Sequence, residues 1–168
     1  LSIVLTVAMV VSTLSIDAAT AFADNYTVVD GGTISSSTTS STFSVSLSSS
    51  QAAKKYYFSP SSSGYFTFSS SGSSGDPTLF IANSTSYADP AFQQYGAAGS
   101  ASISSTSNRV AYDDDSAGSS QFTKQIYLYS GYSYYIYASK WSSGSTASYT
   151  FSVKKTSTSY PSVSSMGS

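Results

Sequence analysis

Apolar and hydroxyl-bearing residues alternate along most of this chain. Residues 42–48 (TFSVSLS) set Phe43, Val45 and Leu47 on one side and Ser or Thr on the other, the period of a half-buried strand. Residues 56–58, 65–68, 110–112, 125–129, 132–138 and 147–153 carry further strand signals of aromatic and β-branched residues. Residues 77–82 (PTLFIA) are the most apolar and are expected at the centre of a sheet. Ser130-Gly131, between two of the runs, is a hairpin-turn signal. About eight strands punctuated by Gly, Ser, Pro and Asp predict an all-β chain, an antiparallel β-sandwich. After residue 24 no window carries the pattern of an amphipathic helix. Residues 84–108 read as a long polar, Ala-rich loop, and residues 154–168 as a Ser-rich flexible tail.

The first residues differ in kind. Residues 1–14 are almost wholly apolar but short for a membrane span, which takes about 20 residues. Asp17 ends the run, and Ala21-Phe22-Ala23 fits the small-x-small rule of a signal-peptide cleavage site. Residues 1–23 are therefore expected to be an export signal lacking its basic n-region, and residues 24–153 the sandwich domain. The alternative is a retained N-terminal helix of a pilin-like filament subunit. Asp17 counts against it, because a charge is costly in an apolar filament core. The expected location is extracellular or at the cell surface, with membrane contact only during export.

Composition narrows the chemistry. The 168 residues contain no Cys and no His, and all eight acidic residues are Asp. This excludes Ser-His-Asp triads, thiol nucleophiles, His general bases and His or Cys zinc sites. Glycoside hydrolysis needs two carboxylates flanking a bond, and few Asp lie outside one turn. The chain is thus expected not to be an enzyme. Seven Lys and Arg are scattered, which gives no basic face for nucleic acid. Loss of residues 1–23 would leave seven Asp against those seven cations, and near-zero net charge favours association. Serine makes up roughly a quarter of the chain and tyrosine occurs 15 times.

Against so little charge, residues 111–118 (AYDDDSAG) stand out, holding three of the eight acids. Two readings apply. Asp113, Asp114 and Asp115, with Asp76, supply oxygen ligands for Ca²⁺, the one cofactor this composition favours. Or the run is a solvated turn whose carboxylates accept backbone N–H groups. Neighbouring residues on a strand point to opposite faces, so convergence requires the turn to bend. Tyr127, Tyr129, Tyr135 and Tyr137 alternate with Ile126, Leu128, Tyr134 and Ile136, which predicts one core side and one aromatic side available for stacking on a ligand. Trp141, the only tryptophan, is either a ligand platform or a loop anchor. Asn25 and Asn83 match the N-glycosylation acceptor pattern.

The order of motifs, KYYFSP, GYFTFSS, GDPTLFI, YDDDSAG, SGYSYYIYAS and SYTFSV, resembles the bacterial pre-peptidase C-terminal domain over roughly residues 30–153. The resemblance implies a jelly-roll-like sandwich without catalytic activity, associated with secretion, surface retention or the binding of polymeric substrates. Some collagen-binding relatives carry calcium. The family's Asp-Pro before the central strand maps onto Asp76-Pro77, and its Asp-Asp-Ser turn onto Asp114-Asp115-Ser116. The 84–108 insert departs from the pattern.

The expected function is a secreted module that binds an extracellular polymer, protein or carbohydrate, or a cell-surface component, stabilised by calcium. The alternative is a structural subunit of a filament or coat that self-associates. There, residues 24–32 would add a strand to a neighbour's edge.

Overall fold

Alternating apolar and hydroxyl residues fold here as strands that lay their apolar sides on a shared core. The structure, a computed structural model, describes residues 25–104 and 108–157. Its strands are β1 (Thr27–Ile34), β2 (Ser40–Leu47), β3 (Gln51–Phe58), β4 (Gly64–Ser74), β5 (Pro77–Ala82), β6 (Arg109–Asp113), β7 (Thr123–Leu128), β8 (Tyr134–Lys140) and β9 (Ala147–Ser157). Two helices, α1 (Thr85–Tyr95) and α2 (Ala101–Ser104), lie between β5 and β6. One sheet runs β1-β3-β8-β5-β6 and the other β2-β9-β4-β7. All pairings are antiparallel except β1 with β3, which is parallel. The chain is therefore an all-β sandwich, with one strand more than the alternation indicated. The proposed export segment and most of the Ser-rich tail fall outside the described residues. β9 itself continues past Val153 to Ser157. Among the described residues no helix is long and apolar enough to cross a membrane.

The core between the sheets is aromatic. Phe151 lies at its centre, with Tyr56, Phe43, Phe68 and Phe122 at ring-centroid distances of 5.3, 5.9, 6.3 and 6.4 Å. Phe151, Tyr56, Phe43 and Phe68 come from alternate positions of their strands and Phe122 stands one residue before β7, so the period-2 pattern builds most of this core directly.

Residues 84–108 correct the sequence expectation of a loop without helix. Ser84 caps α1, its hydroxyl accepting from the Ser86 N–H at 3.2 Å, and Gly96 ends it at φ 76°, its N–H bonding Phe92 O at 2.9 Å. Ala88 and Phe92, one turn apart, are buried against the outer side of the first sheet, where Phe92 stacks on Tyr137 at 4.7 Å. Asp89 fastens this contact by accepting from the Tyr137 hydroxyl at 2.6 Å and pairing with Lys55 at 2.5 Å. A helix held by two apolar residues and interrupted by Pro90 has almost no sequence periodicity; tertiary packing holds it in place.

Two further expectations are corrected. Ser130-Gly131 does turn the chain, with Gly131 at φ 81°, but it makes no hairpin. β7 pairs with β4, whereas β8 pairs with β3 and β5 in the other sheet. Both strands carry inward apolar residues, so the local pattern is the same for a hairpin and for a crossing between sheets. From Thr27 onward the proposed 24–32 segment is not a free arm, for β1 docks on β3 of its own sheet, while residue 24 lies outside the described residues.

Lys140 received no role in the sequence reading, yet it is wholly buried at the end of β8. Its ammonium donates to Ser48 O at 2.9 Å, Ser49 O at 3.2 Å and Ser145 O at 2.7 Å. It thereby ties the β2–β3 turn to the β8–β9 connection. Burial lowers its pKa, and the three carbonyls offset the lost hydration of the charge.

Candidate functional site

Antiparallel register brings two distant acidic segments together. Leu79 of β5 pairs with Asp113 of β6, so the chain before β5 meets the chain after β6. Carboxylate oxygens of Asp76, Asp114 and Asp115 lie within 4.8 Å of one another. One oxygen each of Asp76 and Asp114 is buried without a hydrogen-bond partner. Burial, then the charge of Asp115, raises the Asp76 pKa. Burial, then Asp115, Asp76 and Asp113, pushes Asp114 up to about 6. The neighbouring Tyr112 is pushed up to about 12 by burial and by all four carboxylates. This is negative charge held close without a compensating donor. The donor set is oxygen only, which suits a hard cation, with water or carbonyls completing the shell.

Asp113 stands apart from this cluster. Its Oδ2 accepts from the Thr123 N–H at 2.9 Å and from the Ser116 hydroxyl, and Ser116 also donates to Thr123 O at 2.8 Å. Asp113 thus closes the turn between β6 and β7. Asp113 lies in the turn, and Asp114 and Asp115 lie beside Asp76.

The four tyrosines singled out in sequence do not share a face, because their strands belong to different sheets. Tyr137 is fully buried beneath α1, and Tyr135 packs edge-on to Tyr57 at 5.7 Å on the first sheet. Tyr127 in β7 and Tyr129 just past its end lie on the second sheet, where they join Tyr65 and Tyr132, which the sequence marked as strand residues but not as ligand-binding ones. Successive ring centroids along Tyr65, Tyr127, Tyr129 and Tyr132 are 5.1, 5.1 and 6.1 Å apart. Tyr129 is 48% exposed and Tyr132 64%. The signal for Tyr65 was its place opposite the inward Phe66 and Phe68, visible once β4 is known to pair with β7.

Trp141 is half-exposed, and its backbone N–H donates to Asp76 O at 2.8 Å. The carbonyl of Asp76 therefore anchors the tryptophan while its carboxylate joins the acidic cluster. With Tyr95, Gly99, Ser100 and Ser143, Trp141 lines an open cleft of about 440 Å³. A Cβ on Gly99 would come within 2.1 Å of Trp141 O and 2.7 Å of the indole ring. Gly99→Ala is expected to push Trp141 outward and cost about 1–3 kcal/mol. Because Trp141 is the sole tryptophan, a red-shifted emission maximum with a lower urea midpoint reports the change. An unshifted spectrum contradicts the packing. Asn25 and Asn83 are both exposed.

No family model matches the chain, and no curated protein matches it. Among solved structures it is similar to the pre-peptidase C-terminal domain of a collagenase from Bacillus anthracis. That likeness has 18% identity and a TM-score of 0.47, and covers 77% of this chain and 96% of that one. It is also similar to a periplasmic inhibitor of g-type lysozyme from Aeromonas hydrophila. There the identity is 12% and the TM-score 0.44, covering 77% of this chain and 97% of the other.

Proposed function

We propose that this chain is an exported, non-catalytic module that binds an extracellular polymer or cell-surface component. The tyrosine row Tyr65, Tyr127, Tyr129 and Tyr132 carries the reading, since it presents exposed ring surface on an otherwise polar sheet. The absence of Cys, His and Glu from the sequence supports a binding role over a catalytic one. In this reading Asp76, Asp114 and Asp115 hold a calcium ion that stiffens the β5–β6 end, which the two unpartnered carboxylate oxygens support.

The test is co-sedimentation with insoluble polymers, comparing collagen fibrils, cell-wall material and polysaccharides. The Tyr129→Ser/Tyr132→Ser variant is expected to lose at least about tenfold in retention, about 1.4 kcal/mol, while its melt stays unchanged. Retention equal to that of the parent chain would refute the aromatic contribution. Tyr137 is unsuited to this test, because replacing a buried ring confounds binding with unfolding.

A further inference from the structure

The two outer faces of the sandwich are chemically opposite. The first sheet turns apolar residues outward, Phe80, Ala82 and Tyr137 among them, and α1 covers them. On the second sheet every apolar alternate position points inward, so the outer side falls to the residues between. Across β2, β9, β4 and β7 one row reads Thr42, Ser152, Ser69 and Thr123. The next reads Ser44, Thr150 and Ser71. Strand geometry spaces these hydroxyls about 4.8 Å across the sheet and about 6.7 Å along it. None of the seven hydroxyls makes a hydrogen bond to another described residue, so their donors and acceptors are unspent. The row beyond, Ser40, Lys154, Thr67 and Gln125, adds a single charge, and the tyrosine row closes that end, Tyr65 opposite Tyr127.

We propose that this hydroxyl lattice is a docking surface and that its occupant is a neutral polysaccharide. The inference rests on the binding-module reading above and names its ligand class. A sugar chain offers repeating hydroxyls that exchange hydrogen bonds with the lattice, and apolar ring faces that stack on the tyrosines at its end. An ionic polymer finds Lys154 beside the lattice and Lys54 at its β2 edge, where the ammonium donates to Ser44 O at 3.2 Å, but no regular pattern of charge to match. A second copy of the chain would bring the same hydroxyls. It would trade water hydrogen bonds for equivalent ones and bury little apolar area, whereas stable homodimer interfaces are more apolar than the ordinary surface.

Co-sedimentation of the whole chain with glucans, chitin and mannan, beside collagen and an anionic polymer, tests the proposal. Neutral polysaccharides are expected to retain the chain equally at low and high salt, since no charge pairing is involved. Thr150→Lys/Ser152→Lys, which sets two long cations in the middle of the lattice, is expected to weaken retention at least tenfold, and Tyr87→Lys, at an exposed position of α1 over the other sheet, to leave it unchanged. Should the double variant fail to fold, Thr42→Lys on the edge strand β2 takes its place. Retention by collagen or the anionic polymer alone, indifferent to the lysines, overturns the proposal and leaves the binding-module reading standing. Retention by nothing overturns both. Self-association that the lysines abolish, without sugar binding, assigns the face to a second copy and likewise overturns it.

Discussion

Replacing Lys140 by methionine is expected to destabilise the folded chain by about 2–4 kcal/mol and to lower its Tm by roughly 10 °C. Methionine keeps most of the stem and its packing but leaves Ser48 O, Ser49 O and Ser145 O without their donor. A hydrogen bond to a charged group contributes about 1.5–3 kcal/mol, and relief of the buried charge offsets part of the loss. Lys140→Arg is expected not to restore stability. A planar guanidinium does not fit three carbonyls that converge on one tetrahedral nitrogen. Thermal and urea melts of the three proteins decide the matter. A methionine variant that melts with the parent would mean that the carbonyls rehydrate freely and that the ammonium contributes nothing net. The loss is expected to be global, because Lys140 joins two connections that each run between the sheets.

The second large effect concerns calcium and pH. Asp114 has a folded pKa of about 6 against an ordinary 3.8, with Asp76 raised in the same direction. The folded chain therefore holds a proton that the unfolded chain releases. Stability from this source is complete below pH 3.8, declines as pH rises, and is lost above about 6. The full gap corresponds to at most about 3 kcal/mol, and solvent around a partly exposed carboxylate reduces it to about 1–2 kcal/mol. In chelator, melts recorded from pH 4 to 7 should fall accordingly. Millimolar Ca²⁺ at pH 7 should reverse the fall, adding about 2.7 kcal/mol at a hundred times its Kd. Mg²⁺, smaller and stricter in geometry, should do less. Asp114→Asn should flatten the pH profile and remove the calcium response, whereas Asp113→Asn should disturb the β6–β7 turn and keep the response. A flat profile in chelator, together with melts indifferent to Ca²⁺, would sink the cation site.

Some of the chain can be read without coordinates. Phe43, Val45 and Leu47, or Tyr149, Phe151 and Val153, sit at every second position, and a strand has only two sides. Which residues share a side of their strand, and that the body is sheet, are therefore set locally. So is the chemical poverty of the chain, since residues absent from the sequence are absent from any fold of it. Asp114 and Asp115 were recognisable as a concentrated charge for the same reason.

What local pattern leaves open is which side meets what. The tyrosines of β7 and β8 carry the same alternation, yet the chain crosses between sheets at Gly131, so Tyr137 lies under a helix while Tyr129 faces outward. α1 arises because the outer side of the first sheet is apolar and must be covered, a demand that no window within 84–108 expresses. Asp76 meets Asp114 only through the β5–β6 register, and Lys140 finds its three carbonyls only when the remote β2–β3 turn closes over it beside the adjoining β8–β9 connection. The hydroxyl lattice is the same kind of result. Each strand contributes an ordinary Ser or Thr at alternate positions, and pairing across four strands turns those single rows into a plane. Period-2 chemistry is a property of consecutive residues and is written in the sequence. Pairing, register and coverage are properties of segments far apart, and the free energy of packing them together exists only in the tertiary structure.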